Sequence, residues 1–240
     1  MQRFDARVIG AGRAGSAIAS ALAAAAWSVD GPLGRGFDPA TAATGTDVLV
    51  IAVPDGVVAE VAQSVEPGDA VVLHVAGSLG LDVLAPHPRV GSVHPLVALP
   101  DAELGAMRLR GAWFATSGDE AATTALVDAV GGRTVPVADA DRVAYHAAAA
   151  IAANHVVALL GQVDRIARSI GVPLDAYLDL ARGAIDNVGA VGAHEALTGP
   201  VARDDWATVA RHLDAIPVEE RAAYSVLADA ARRLRDEVPA

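Results

Sequence analysis

A chain of 240 residues with a formal net charge of −11 is long enough to bury a sizeable core, in one large domain or two modest ones. The negative charge argues against nucleic acid and against an anionic membrane as partners. Neither cysteine nor lysine occurs, which excludes disulfides, thiolate metal sites, cysteine nucleophiles, a Walker-type phosphate loop and a lysine Schiff base.

The first strand, residues 8–10, runs directly into a glycine-rich turn with the pattern G-x-G-x-x-G, and an alanine-rich helix follows. In this setting the first glycine makes the tight turn, the second lets the backbone approach a phosphate, and the third lets helix and strand pack closely. The turn therefore predicts dinucleotide binding; the alternative is a glycine turn in a cofactor-free α/β domain. The predicted cofactor-binding residues of the turn are Gly10, Gly12, Arg13, Ala14 and Gly15.

The end of the second strand, residues 27–33, usually decides between NAD and NADP. An acidic residue there binds the ribose 2′-hydroxyl of NAD, whereas an arginine accommodates the 2′-phosphate of NADP. Asp30 is a candidate for the first role, and Arg35, just after the predicted strand end, for the second. Because Arg13 also lies in the glycine turn, the sequence favours NADP, with NAD as the alternative.

The next segments continue the alternation of strands and helices. Residues 47–53 are a continuous apolar run, as expected of a strand buried on both faces, and a helix follows to about residue 65. Further strands are predicted at 69–74, 89–94, 112–116 and 134–137, with a helix at 120–130. This pattern predicts an α/β fold with a Rossmann-type, doubly wound parallel sheet.

Polar residues follow the carboxyl ends of these strands, where ligands of such sheets bind. Val53, Pro54 and Asp55 should line the nicotinamide half of the crevice, although Asp55 could instead cap a helix. His74 and His94 end the next two strands and should face the same crevice. Either histidine alone could be structural, but the pair favours a functional role. No histidine spacing resembles a zinc site, so no metal is predicted.

After residue 138 the pattern becomes all-helical, with one long helix over 139–170 and further helices after it. We therefore expect a Rossmann domain over 1–138 and an all-helical domain for substrate binding and dimerisation over 139–240. On the long helix, His146 and Asn154 lie within one broad face and are separated mostly by alanines. They could hold a substrate oxygen; the alternative is a helix–helix interface with satisfied polar groups.

A second polar cluster follows near residue 200. Asp204, Thr208 and His212 recur every four residues and form one helical stripe, although Asp204 or Asp205 could simply cap that helix. An arginine just before the helix could bind a carboxylate in bidentate fashion. The predicted substrate-binding residues are Thr198, Arg203, Thr208 and His212.

No signal peptide precedes the first strand, and the most apolar stretches, 17–27 and 147–160, look too short or too interrupted to span a bilayer. We therefore expect a cytoplasmic protein with no membrane partner. The small, uncharged residues over 147–153 make a homodimer through the helical domain plausible.

The chain resembles a bacterial family in which a Rossmann-like NAD(P)-binding domain precedes a helical C-terminal domain of uncharacterised function. More distantly it is similar to enzymes with a C-terminal domain like that of 6-phosphogluconate dehydrogenase: ketopantoate reductase, 3-hydroxyisobutyrate dehydrogenase and pyrroline-5-carboxylate reductase. The resemblance covers nearly the whole chain, and the segments that carry it are 10–15, 50–55, 74–78, 92–96, 145–149, 154–155 and 197–212. It implies an NADP-dependent reductase or dehydrogenase of a small acid.

The chain departs from that pattern at one point. The hydroxyacid enzymes use a helix lysine, followed by an asparagine, to polarise the reacting oxygen, and here Asn154 has no lysine to accompany it. His146 is then the first candidate for the proton donor, since imidazoles suit general acid catalysis near neutral pH.

The leading hypothesis is hydride transfer between nicotinamide and a small carboxylate-bearing carbonyl, hydroxy or imine substrate, such as a ketopantoate-like 2-oxo acid. The alternatives are a non-catalytic NAD(P)-binding sensor or partner-binding protein, motivated by the missing lysine, and a cofactor-free structural dimer.

Overall fold

The computed structural model describes residues 4–237, which divide into two compact units after Ala153. The first unit contains a seven-stranded sheet in the order β2-β1-β3-β4-β5-β6-β7. Its strands are β1 Asp5–Ile9, β2 Ser28–Leu33, β3 Val48–Ile51, β4 Val71–His74, β5 Val90–Pro95, β6 Trp113–Gly118 and β7 Arg133–Pro136. Its helices are α1 Arg13–Ala24, α2 Val58–Ser64, α3 Ala102–Leu109, α4 Glu120–Ala129 and α5 Arg142–Ala150.

The predicted Rossmann-type architecture is confirmed in the first five strands. Strands β1 to β5 are mutually parallel, and every residue of β3 and β4 is buried. Apolar clusters cover both faces of the sheet, one including α1 and α4 and the other α2. The continuous apolar runs at these positions follow from this two-sided burial.

The predicted doubly wound parallel sheet is mostly parallel, and the exception is β6, which pairs with β5 in antiparallel orientation; β7 runs parallel to β6. The connection between β5 and β6 contains only α3, which the sequence pattern did not predict and which packs on α1. Phe114, near the start of β6, pairs with Pro95 at the end of β5, so the chain re-enters the sheet at the end where β5 stops.

The predicted domain boundary at residue 138 marks the end of the sheet, whereas the compact units divide after Ala153. The difference arises because α5 belongs to the first unit: its first residue, Arg142, is completely buried against the loop after β4 and against β6.

The second unit is entirely helical over its described residues. The long helix predicted over 139–170 is continuous but not regular: a π-helical turn, Ile151–His155, separates α5 from α6 Val156–Ser169. The remaining helices are α7 Leu174–Val191, α8 Ala193–Ala196, α9 Trp206–Ala215 and α10 Val218–Asp236.

The stretch Asp139–Ser169 is long and apolar enough to cross a membrane, by length and composition only, with a window of mean hydropathy 1.5 that is not buried. The expectation that every apolar stretch is too short or interrupted is therefore wrong for this one, because the helix runs unbroken through the π turn. Helical length and composition alone are weak evidence for a membrane span, since a helix that packs against another helix in an oligomer can be equally long and apolar.

Candidate active site

The glycine-rich turn between β1 and α1 has the geometry that its pattern predicts. Gly10 has a φ of +116°, and a Cβ on it would collide with the carbonyl of Ala52 after β3. A Cβ on Gly15 would collide with the carbonyl of Gly10, so helix α1 could not approach the strand. These two glycines are therefore required by the packing of the turn itself.

The middle glycine has a different environment. A Cβ on Gly12 would meet nothing within 4 Å, so this face of the turn is open. Gly12 is also the N-cap of α1, and within residues 4–237 no side chain caps this helix end and no acidic residue occupies its first turn. The first N–H groups of α1 are thus available to an anion, beside the exposed Arg13.

The end of β2 lies directly beside this turn, since the Gly10 N–H donates to the carbonyl of Leu33 at 2.8 Å. Asp30 is engaged earlier in the strand, where its carboxylate accepts a 2.7 Å bond from Arg7. Beyond Leu33, the side chain nearest in sequence is the exposed Arg35. Arg35 is therefore the first side chain after the end of β2, where the sequence predicts cofactor selection.

The segment after β3 joins the ends of two neighbouring strands. Val53 is half-buried and Pro54 is exposed, and Asp55 begins a short 3-10 helix. Asp55 does not cap that helix: its carboxylate accepts a 3.1 Å hydrogen bond from the hydroxyl of Ser78, beyond β4. Asp55 is thus not a helix cap, and its hydrogen bond links the segments that follow β3 and β4.

Three of the predicted histidines meet at these carboxyl ends. His74, the last residue of β4, is completely buried, and its Nδ1 accepts the N–H of Ala76 at 3.2 Å. His94, on β5, forms a 2.7 Å hydrogen bond between its Nδ1 and the hydroxyl of Tyr145. His146 contacts His94 edge-on, with ring centroids 5.6 Å apart and planes inclined by 78°.

Gly77, in the loop after β4, makes room for this cluster. A Cβ on Gly77 would lie within 3.0 Å of both Nδ1 of His146 and Nε2 of His94. Two imidazole nitrogens from different elements thus face the same small space over a backbone that carries no side chain.

Burial keeps two of these imidazoles neutral. The pKa of His74 falls to about 4, mainly through burial and then through the positive charge of Arg142. The pKa of His94 also falls to about 4, through burial first, then through His146 and Arg142, with Asp55 opposing. Both rings are therefore uncharged at neutral pH.

Arg142 is the buried charge beneath the cluster. Its guanidinium donates to the carbonyl of Ala76 at 3.4 Å and to the hydroxyl of Ser117 at 3.0 Å, and its Nε lies 3.5 Å from Asp139. Burial lowers the pKa of Arg142, and Asp139 opposes this shift. The arginine thus connects α5 to the loop after β4 and to β6, one helical turn before His146.

Sequence reasoning selected the three histidines but not Tyr145, Arg142 or Gly77. A usable signal existed for Tyr145 and Arg142, since they precede His146 by one and four positions and so share its helix face or adjoin it. No comparable signal marks Gly77, because its role depends on side chains distant in sequence.

The other predicted residues belong to the second unit. Asn154, Thr198 and Arg203 are exposed. Asp205 caps α9, accepting from the N–H and hydroxyl of Thr208, and the Nδ1 of His212 bonds the hydroxyl of Tyr224 at 2.7 Å. Thr208 and His212 therefore already have protein partners, whereas the side chains of Thr198 and Arg203 make no hydrogen bond to any residue that the structure describes.

The fold and this site define a two-domain protein of the Rossmann type with a helical C-terminal domain. Residues 113–231 match the family described as a domain of unknown function, DUF2520. This match covers the last two strands of the sheet and most of the helical unit. No protein of curated function matches the sequence.

Solved structures of the same fold cover nearly the whole chain. A Thermotoga maritima protein (TM1727) is 23% identical, with 96% of this chain and 98% of that chain covered and a TM-score of 0.73. A putative NADP oxidoreductase from Bacteroides fragilis is 18% identical over 96% and 98%, with a TM-score of 0.76. The NADP-bound pyrroline carboxylate reductase of Plasmodium falciparum is 14% identical over 98% and 99%, with a TM-score of 0.64. At these identities the likeness establishes the fold alone.

Proposed function

We propose that this protein is an NADP-dependent oxidoreductase that reduces a carbonyl or imine carbon of a small substrate, or catalyses the reverse oxidation. The observation that carries the proposal is the contact between His94 and His146, with the buried His74 at the end of the neighbouring strand β4, because Rossmann-type sheets bind their ligands at these carboxyl ends. The similar structures that bind NADP or are described as NADP oxidoreductases support the same cofactor.

The residues around the glycine turn fit this cofactor. The open face at Gly12 and the uncapped start of α1 would receive the pyrophosphate, and Arg35 with Arg13 would bind the 2′-phosphate. Val53, Pro54 and Asp55, after β3, would adjoin the nicotinamide. Bound NADPH supplies the hydride that reduces the substrate carbon.

Reduction of a carbonyl or imine also requires a proton on the substrate oxygen or nitrogen. Because the chain has no lysine, another group would supply this proton, and we assign the role to His146, since imidazoles suit general acid catalysis near neutral pH. Asn154 would orient the substrate oxygen, and Arg203 with Thr198 would bind a substrate carboxylate. The substrate class, a small carboxylate-bearing acid, rests on the resemblance described above.

Thermal unfolding with and without nucleotides tests the cofactor assignment. NADPH should raise the melting temperature more than NADH, since a ligand at 100 times its Kd stabilises the native state by about 2.7 kcal/mol. Arg35→Gln should reduce the NADPH effect to that of NADH, while Arg110→Gln, an exposed arginine on the surface after α3, should leave it unchanged. No stabilisation by either nucleotide would contradict the proposal.

The catalytic part is tested by oxidation of NADPH with a panel of 2-oxo acids and cyclic imines. His146→Gln should abolish turnover without weakening the thermal shift caused by NADPH. The missing lysine keeps a second function open, a non-catalytic NADP sensor. NADPH binding with no turnover on any member of the panel would favour the sensor.

A further inference from the structure

The Nδ1 of His146 is buried, and among the described residues it has no hydrogen-bond partner. Leaving a buried polar atom unpaired is costly, so such an atom needs an explanation. This nitrogen adjoins the space over Gly77, and the Nε2 of His94 adjoins the same space.

The hydrogen bond behind His94 joins two uncharged groups. Burial raises the pKa of Tyr145 and lowers that of His94, so a neutral phenol meets a neutral imidazole with one donor and one acceptor nitrogen. Either group can donate in this 2.7 Å bond. Where Tyr145 donates to the Nδ1 of His94, the ring proton of His94 resides on Nε2.

We propose that Tyr145 and His94 form a proton relay to His146, with Tyr145 fixing the His94 tautomer whose Nε2–H faces the unpaired Nδ1 of His146 over Gly77. The relay rests on the proposed function. In a chain without lysine, it provides a path by which a proton reaches His146 after His146 has protonated the substrate. Tyr145 and His94 are positioning residues in this scheme, because only His146 would touch the substrate.

One turnover moves three protons along the relay. His146 gives its Nε2 proton to the substrate oxygen or nitrogen as the hydride reaches the carbon, and its Nδ1 takes the Nε2 proton of His94 when the two nitrogens close to hydrogen-bond distance over Gly77. The Nδ1 of His94 then takes the phenolic proton of Tyr145, and the resulting phenolate, stabilised by the charge of Arg142, regains a proton from water at the half-buried tyrosine. Both imidazoles then carry their proton on Nδ1, and exchange with water returns it to Nε2 before the next turnover.

The tautomer can be measured without a substrate, by long-range ¹H–¹⁵N correlation spectra of protein labelled at its seven histidines. His94→Gln and His146→Gln assign the signals. At pH 7 the wild-type protein should show His94 protonated on Nε2 and unprotonated on Nδ1. Tyr145→Phe should convert this signal to a mixture of tautomers and lower kcat at least tenfold, with the KM for NADPH unchanged.

The chain provides a matched control in the second unit, where His212 and Tyr224 form the same 2.7 Å hydrogen bond with rings nearly perpendicular. Tyr224→Phe should alter the His212 signal and leave kcat unchanged. A His94 tautomer that does not respond to Tyr145→Phe, or an unchanged kcat in that variant, would overturn the relay while leaving the cofactor assignment intact. Failure of NADPH to bind would instead overturn the proposed function, and the relay with it.

Discussion

At the scale of single residues, Gly77 has the sharpest consequence for function. A Cβ at this position would lie within 3.0 Å of a nitrogen of His94 and of a nitrogen of His146. Substitution of Gly77 by alanine therefore disturbs both imidazoles without removing any titratable group. We expect Gly77→Ala to displace the imidazoles and reduce kcat at least tenfold, since misplacements of about 1 Å can cost a hundredfold in rate. The readout is kcat together with the NADPH-induced thermal shift, which should persist.

The control for this variant is Gly183→Ala, in the interior of α7, where a Cβ would meet nothing within 4 Å. That change should stabilise the helix slightly, since alanine is favoured over glycine by roughly 1 kcal/mol. Equal kcat values for Gly77→Ala and Gly183→Ala would show that the space over Gly77 has no catalytic use.

His74 should make stability depend on pH. Its pKa is near 6.5 in an unfolded chain and about 4 in the folded protein, so the unfolded state takes up a proton first as the pH falls. The stabilisation is complete above pH 6.5 and is lost between pH 6.5 and 4, by on the order of 3 kcal/mol. His94, with the same shift, adds to this loss.

Urea unfolding at pH 7.5 and 5 measures the effect. His74→Asn keeps an acceptor near the N–H of Ala76 but cannot be protonated, so the difference in unfolding free energy between the two pH values should shrink. A pH dependence identical to that of the wild-type protein would mean that His74 is not the neutral, buried group described above.

At the scale of elements, Arg142 connects α5 to the sheet, and its positive charge lowers the pKa values of the neighbouring histidines. Arg142→Met keeps the side-chain volume, loses the bonds to Ala76 and Ser117, and removes the cost of burying a charge. We expect the pKa of His74 and of His94 to rise in this variant, because Arg142 lowers both.

Histidine NMR titrations follow these pKa values directly. The comparison variant is Arg133→Met, which removes an arginine stacked on Trp113 at the edge strand β7. It should leave both histidine pKa values unchanged. A folded Arg142→Met protein with unaltered values for His74 and His94 would show that burial alone neutralises them.

Much of the first unit could be predicted from sequence because local rules decide it. Two-sided burial makes β3 and β4 continuous apolar runs, and the glycine pattern fixes the turn before α1. The direction of β6 could not be predicted in this way. It depends on the end at which the chain re-enters the sheet after β5, and neither the composition nor the period of residues 113–118 encodes that.

The site shows the same division. His74 and His94, at the carboxyl ends of β4 and β5, could be found from their positions in the predicted strands. Tyr145 and His94 are 51 positions apart and meet only because α5 begins at the buried Arg142. The periodicity of a single sequence carries no information on such a pairing. It also assumes a regular α-helix, and the π-helical turn Ile151–His155 departs from that geometry.

At the scale of the whole molecule, the second unit lacks a core of its own. Over residues 154–237 only five side chains are buried, and two of them, Gln162 and Glu220, are polar. Large apolar residues are meanwhile exposed along several helices, including Leu180 at 69% and Ile185 at 62% on α7. Burial of apolar area contributes about 25 cal/mol per Å², so this unit needs an apolar partner to be stable.

We expect that partner to be a second copy of the chain. Light scattering without detergent, at micromolar concentration, should give twice the chain mass of 24.2 kDa. Ile185→Arg should shift the mass toward the monomer, since a charge at an apolar interface core is strongly disfavoured, whereas Met107→Arg, equally exposed on α3 of the first unit, should not. A monomeric mass measured in the absence of detergent would contradict the dimer. A chain that stays in solution only with detergent would instead assign the exposed helix Asp139–Ser169 to a membrane.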